Sequence, residues 1–183
     1  MDALGRTVRE PTSIYFTGGV TAILHGWRDA TIDIDLKVLP DSDAVLREFP
    51  KLKELLGINV ELAAPDHFIP QLPGWQERSL FIGRRGSVTF LHYDPYSQAL
   101  SKIERGHDRD LIDVTSMFAD GLVDGKRLFE LYEGIEPDLF RYPAIDPASF
   151  RRAVLEALEA VGEVVPGPAA EVAPPDTAGP EKT

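Results

Sequence analysis

Asp33 and Asp35 alternate with Ile32, Ile34 and Leu36 in the segment TIDIDLKV. Successive side chains of a strand point to opposite faces, so both carboxylates share one face and the three aliphatics the other. That spacing sets the two acidic residues roughly 6–7 Å apart at Cα. Two carboxylates held this close repel each other unless a cation neutralises them. Hard oxygen donors suit a divalent ion such as Mg²⁺. An isolated Asp-x-Asp is more readily an ordinary half-exposed strand with its polar face in water, so the surrounding residues decide the reading.

Upstream, Gly18-Gly19 follows the apolar run Ile14-Tyr15-Phe16. Glycines at a strand-to-helix junction let the backbone approach a ligand, and the N–H groups of a following helix favour phosphate. Thr17 and Thr21 would add hydroxyls there, and Arg28 a cation for phosphate or for the aspartates. Anion-binding turn and carboxylate pair together suit a Mg²⁺-nucleoside triphosphate. In Ile58–Leu62, Asn59 and Glu61 oppose Ile58, Val60 and Leu62. Glu61 is therefore a candidate third carboxylate if its strand neighbours the aspartate strand, with Asp66 as its rival. A metal-dependent phosphohydrolase would also use paired aspartates, but would not account for the Gly-Gly turn so directly.

The elements that must position these residues read as follows. Strand Ile14–Phe16 leads into a short helix Val20–Gly26, then a loop and the strand Ile32–Val38. Ser42 or Asp41 caps a helix that Pro50 splits and Gly57 ends. After Ile58–Leu62 comes a proline-rich loop, where Trp75 either stacks on a base or anchors the loop. A hairpin, Ser79–Gly83 and Ser87–Tyr93, turns at Arg84-Arg85-Gly86. Asp94-Pro95 starts a helix through Arg105 that carries Lys102. The next helix, capped by Asp108, has Leu111, Ile112, Val114 and Phe118 as its apolar stripe. It also carries Asp110 and Asp113, three apart and so neighbours on its surface. Two more helices follow, Lys126–Tyr132 and Ala148–Val161. The order β-α-β-α-β, a hairpin and then helices reads as α/β or α+β with a C-terminal helical part.

The chain has 183 residues, 43% hydrophobic, and a formal net charge of −11. The length suits one domain. The acidity argues against a broad nucleic-acid-binding surface, while leaving a local patch open to Arg6, Arg9, Arg28, Arg84, Arg85, Lys102 and Arg105. There is no cysteine, hence no disulfide framework, and the four histidines lack zinc-ligand spacing. No apolar run approaches membrane-spanning length and no signal-peptide core opens the chain, so a cytoplasmic, membrane-free protein is expected. Residues 163–183, rich in Pro, Ala and Glu, read as a disordered tail.

Gly18-Gly19, Arg28, Thr31, Asp33 and Asp35, followed by Lys102 and Asp110-Leu111-Ile112-Asp113, resemble the signature of the polymerase-beta-like nucleotidyltransferase superfamily. The nearer likeness is to its AbiEii and MenT-like toxin branch. The resemblance covers roughly Tyr15 to Phe118 and implies an α+β fold, a small mixed sheet flanked by helices; the domain is read as 1–162, with a catalytic core at about 14–94 and a helical part at about 95–162. It implies Mg²⁺ (or Mn²⁺) held by Asp33, Asp35 and Glu61. Nucleotide contacts would come from Gly18, Gly19, Thr21, Arg28 and Lys102, with Asp110 and Asp113 in support. The implied reaction moves NMP from an NTP to a hydroxyl of an RNA 3′ end, such as a tRNA, or of a partner protein. The implied context is a toxin with an antitoxin partner, or an antitoxin that modifies its companion toxin. The alternative is a catalytically degenerate module that binds a nucleotide or a partner.

Overall fold

The computed structural model describes residues 1–163. The expected tail, apart from Glu163, lies outside the described residues. A short helix α1 (Asp2–Thr7) precedes β1 (Thr12–Thr17), which runs without a gap into α2 (Gly18–Leu24). A loop leads to β2 (Asp33–Leu39), and α3 (Asp43–Leu46) and α4 (Phe49–Leu56) to β3 (Asn59–Glu61). Ser42 caps α3 by accepting the Val45 N–H, Pro50 sits in the first turn of α4, and Gly57 ends α4 in the left-handed conformation. The helix expected across this region is therefore split by its proline.

A 3₁₀ turn (Pro65–His67) and a single-turn helix α5 (Trp75–Arg78) break up the proline-rich segment before the hairpin β4 (Leu80–Arg85) and β5 (Val88–His92). Four helices complete the described chain: α6 (Pro95–Arg105), α7 (Asp108–Ala119), α8 (Gly125–Ile135) and, after a 3₁₀ stretch (Glu136–Arg141), α9 (Pro147–Ala160). No described helix is long and apolar enough to cross a membrane.

The strands form one mixed sheet, ordered β3-β2-β1-β5-β4. β1 is antiparallel to β2 and parallel to β5, β2 is parallel to β3, and β4 closes the hairpin with β5. The protein is thus α+β, as the sequence implied. One face of the sheet packs Ile14, Phe16, Leu36, Val38, Val88 and Phe90 with Leu4 and Val8 of the N-terminal segment and Val45 of α3. A second core joins α6, α7, α8 and α9, including Leu100, Ile103, Met117, Leu128, Tyr132 and Val154. A smaller cluster ties Tyr15, Ala64, Trp75 and Tyr93 together, with the Trp75 and Tyr93 rings stacked at 4.3 Å. Trp75 is therefore a loop anchor and not an open platform.

Two expected apolar stripes differ from the structure. Ile32 precedes β2 and is 81% exposed, so the aliphatic face of that strand begins at Ile34 and Leu36. In α7 the buried positions are Asp110, Asp113, Val114 and Met117, while Leu111 and Ile112 are exposed. Cations beneath α7 hold its two acids inward, which turns the apolar residues at 111 and 112 out. Asp108 is the first residue of α7, and His107 is its N-cap, without a side-chain bond. The expected helix starting at Asp94 is as read: the Asp94 carboxylate accepts the N–H groups of Tyr96 and Ser97.

Leu36→Ala, at a core position beside Asp35, is expected to cost about 2–5 kcal/mol. Ile32→Ala should stay within about 0.5 kcal/mol of wild type. Urea unfolding of both variants checks this difference.

Candidate active site

The β1–β2 pairing sets Thr17 opposite Asp35, and the β2–β3 pairing sets Asp35 opposite Glu61. Asp33, Asp35 and Glu61 line one cavity of about 260 Å³ together with Gly18, Gln98, Lys102 and Arg105. Asp66 is not among the residues lining it. That residue pairs with Lys37 and accepts hydrogen bonds from Tyr93 and Gln71. Of the two candidates for a third carboxylate, Glu61 is the one beside the aspartates. A second opening of about 410 Å³ adjoins the first across Asp33, Asp35 and Lys102, and is walled by Gly19, Arg28, Thr31 and Arg109.

Asp35 carries the electrostatic strain of the site. Burial pushes its carboxyl up from the ordinary carboxylate range, and the negative charges of Glu61 and Asp33 push it further. Arg105 and Lys102 pull in the other direction without cancelling these effects. Asn59 donates to the Glu61 carboxylate.

The glycine pair owes its place to crowding within the protein. Gly18 has φ +59°, and a Cβ there would lie 2.6 Å from Asp35 Oδ2. A Cβ at Gly19 would lie 2.2 Å from Thr31 Oγ1. The Gly18 N–H is engaged by Gln98 Oε1 at 3.2 Å, which also accepts from Thr17 Oγ1. That amide is therefore occupied, contrary to the expectation of a row of open donors. Thr21 also departs from expectation: its hydroxyl donates to the Phe16 carbonyl and meets His92 Nδ1 at 3.2 Å, inside the protein.

Lys102 is 3% exposed, fixed and fully paired. Its Nζ lies 2.9 Å from Asp110 Oδ1 and 2.6 Å from Asp113 Oδ2. Arg28 grips the same Asp113 with two hydrogen bonds, Nε to Oδ1 at 2.9 Å and a terminal nitrogen to Oδ2 at 2.7 Å. The same guanidinium donates to the Arg109 carbonyl. Arg105 pairs with Asp110 at 2.9 Å. Burial would raise the Asp110 carboxyl, but the hydrogen bond and charge of Lys102, with those of Arg105, outweigh it and hold it low. The expected roles thus change in emphasis: Arg28 clamps α7 to the loop before β2, and Lys102 is a rigid cation at the cavity wall. Trp27 adds to this clamp by donating to Asp120 at 2.8 Å.

Gln98 is the functional candidate that the sequence reading missed. It is buried, holds Gly18 and Thr17 through its carbonyl oxygen, and donates to the Tyr93 carbonyl at 2.7 Å. Its signal was the i, i+4 spacing to Lys102 on one helix face. Arg105, one turn further, continues that row. Of the expected basic patch, Arg28, Lys102 and Arg105 meet here, whereas Arg85 pairs with Asp2 beside α1. His25 and His92, distant in sequence, meet with their rings tilted and 4.5 Å apart, outside both cavities; burial, then His25, pushes His92 down to about 4.

Among the described residues, no three His, Cys, Asp or Glu side chains converge into a preformed metal cluster. Mg²⁺, however, is ordinarily held by one or two carboxylates, with substrate phosphates and waters completing its shell. The Asp33/Asp35 pair, with repulsion that a dication would relieve, fits that mode.

Asp113→Ala is expected to cost about 3–5 kcal/mol, because it leaves buried Lys102 with half its counter-charge and frees Arg28. The lowered Asp110 carboxyl supplies stability that is complete above its unfolded value of about 3.9 and lost as pH falls through the lower folded value. Lys102→Met should therefore show a smaller loss of stability in acid than wild type. Urea midpoints between pH 2 and 7 measure both effects.

A search of curated proteins finds no match to the chain, and neither does a search of solved structures. A family model described as "Nucleotidyltransferase of unknown function (DUF6036)" matches residues 4–147, a span that takes in both cavities and all of their charged residues. The chain belongs to this nucleotidyltransferase family.

Proposed function

We propose that the protein is a Mg²⁺-dependent nucleotidyltransferase that moves NMP from an NTP to a hydroxyl acceptor. The observation that carries this reading is the shared cavity of Asp33, Asp35 and Glu61, with a fixed lysine on its wall. In the transfer, the acceptor oxygen forms a bond to the α-phosphorus, the bond from that phosphorus to the bridging oxygen breaks, and pyrophosphate leaves. The hydroxyl proton passes to a carboxylate of the set, for which exposed Glu61 has the open position. When bound, the dication neutralises charge on the attacking and leaving oxygens. Asp33 and Asp35 are the carboxylates that would hold it. Lys102, Arg28 and Arg105 share two aspartates, so this network keeps a net positive charge beside the cavity, with Arg105 its most exposed cation, where pyrophosphate charge would develop. Gln98 keeps the Thr17–Gly18 backbone in register with Asp35.

The acceptor we favour is an RNA 3′ end, such as that of a tRNA. The second opening is lined by Arg28, Lys102, Arg105 and Arg109 as well as by Asp33, Asp35 and Asp110, so cations stand at the site despite the overall acidity. By the AbiEii and MenT-like resemblance, the chain would act as the toxin of a toxin–antitoxin pair. Labelling of a partner protein would instead make it a protein-modifying antitoxin. The reading of a non-catalytic nucleotide- or partner-binding module has one observation in its favour, the lack of a preformed three-ligand cluster among the described residues.

Incubation with each α-³²P-NTP, Mg²⁺ and total tRNA is expected to label RNA. Asp33→Ala and Asp35→Ala should each lower the rate on the order of 10³-fold, since the metal contributes several kcal/mol to the transition state. Label on protein would shift the acceptor. Retained NTP binding without label on either would support the binding module.

A further inference from the structure

Phe68 is the one aromatic side chain lining the carboxylate cavity. It is 47% exposed and belongs to none of the three packed clusters of the described residues. Its position is nonetheless firmly set. Immediately before it, the 3₁₀ turn Pro65–His67 is tied down through Asp66, which Lys37, Tyr93 and Gln71 bind by its carboxylate and Tyr142 by its carbonyl at 3.1 Å. Immediately after it, Ile69 is buried in the helical core. A rigid turn thus presents a half-exposed ring, its centroid 6.4 Å from that of His67, to the cavity that the carboxylates line. Beside it lie Ala63, Ala64 and Pro65. Their side chains have neither hydrogen-bond donors nor acceptors.

Three further polar side chains that line the cavity already have partners within the protein. Gln98 holds Gly18, Thr17 and Tyr93, Ser101 donates to the Gln98 carbonyl, and Lys102 is held by its two aspartates. An aromatic plane without side-chain hydrogen-bond partners attracts another π-face and does not distinguish one base edge from another.

We infer that Phe68 is the stacking platform for the nucleobase of the bound nucleotide, and that the wall of Ala63, Ala64 and Pro65 makes the site tolerant of base identity. This rests on the nucleotidyltransferase reading, with the triphosphate lying over Asp33 and Asp35. The base then extends towards the 3₁₀ turn, and stacking contributes to nucleotide binding without touching the reacting atoms.

The test measures Mg²⁺-dependent binding of the α,β-methylene analogues of all four NTPs by calorimetry, with magnesium tripolyphosphate as the base-free probe. Phe68→Ala is expected to weaken all four nucleotides by a similar factor of about tenfold, and to leave tripolyphosphate unchanged. Phe68→Trp should bind nucleotides as well as wild type or better. Equal nucleotide binding by Phe68→Ala and wild type would overturn the platform, as would equal weakening of tripolyphosphate. A loss confined to one nucleotide would overturn the tolerance. Wild type that binds tripolyphosphate no more weakly than nucleotide would overturn the platform alone. Wild type that binds neither ligand would overturn the nucleotidyltransferase reading itself.

Discussion

The Asp35 carboxylate lies where a side chain at position 18 would have to go, 2.6 Å from the Cβ that Gly18 lacks. Burial and two neighbouring carboxylates oppose its charge. A stable fold tolerates such a group only when the surroundings over-determine it. Here β1 and β3 flank its strand on either side, and the Gln98 amide fixes the glycine backbone pressed against it. Position 18 thus needs glycine for both its positive φ and the close approach of the carboxylate, while Gly19 is crowded separately by the Thr31 side chain. The strain is concentrated where a bound dication would relieve it, and perturbed acids cluster at sites that serve chemistry.

A second charge system sits beside the first. Lys102, Arg28 and Arg105 share Asp110 and Asp113 in a largely buried network. Ion pairs of this kind seldom add net stability over an apolar core of the same volume, yet removing one partner is costly. The network links three separate elements: α6, α7 and the loop that delivers the chain into β2. Its consequence for the site is positional. A lysine that would be mobile on a surface is held at the cavity wall, and the loop ahead of Asp33 is tied to α7 through Arg28 and Trp27.

Much of this was legible in the sequence because it depends on short-range periodicity. The two-residue repeat placed Asp33 and Asp35 on one strand face. The same alternation in Asn59-Val60-Glu61 pointed to the third carboxylate, which the register Asp35↔Glu61 brings alongside. Pro50, Gly57 and Asp94-Pro95 marked helix boundaries through local backbone chemistry. What periodicity could not reveal was pairing across the fold. The buried face of α7 is acidic because cations from α6 and the loop at Arg28 meet it, so Leu111 and Ile112 face outward. Gln98 reads as an ordinary helical polar residue until Gly18 and Thr17 are brought beside it. Thr21 lies one helical turn past the glycines, yet it bonds inward to Phe16 and His92.

We propose that the crowded carboxylates are held ready for a dication that arrives with a triphosphate. The most direct measurement is the affinity of a non-transferable NTP analogue for wild type and for Asp35→Asn, each in Mg²⁺ and in EDTA. The account predicts that wild type binds at least about tenfold more tightly with Mg²⁺, and that Asp35→Asn loses most of that difference. Equal affinity of wild type in Mg²⁺ and EDTA, or an undiminished Mg²⁺ effect in Asp35→Asn, would contradict it.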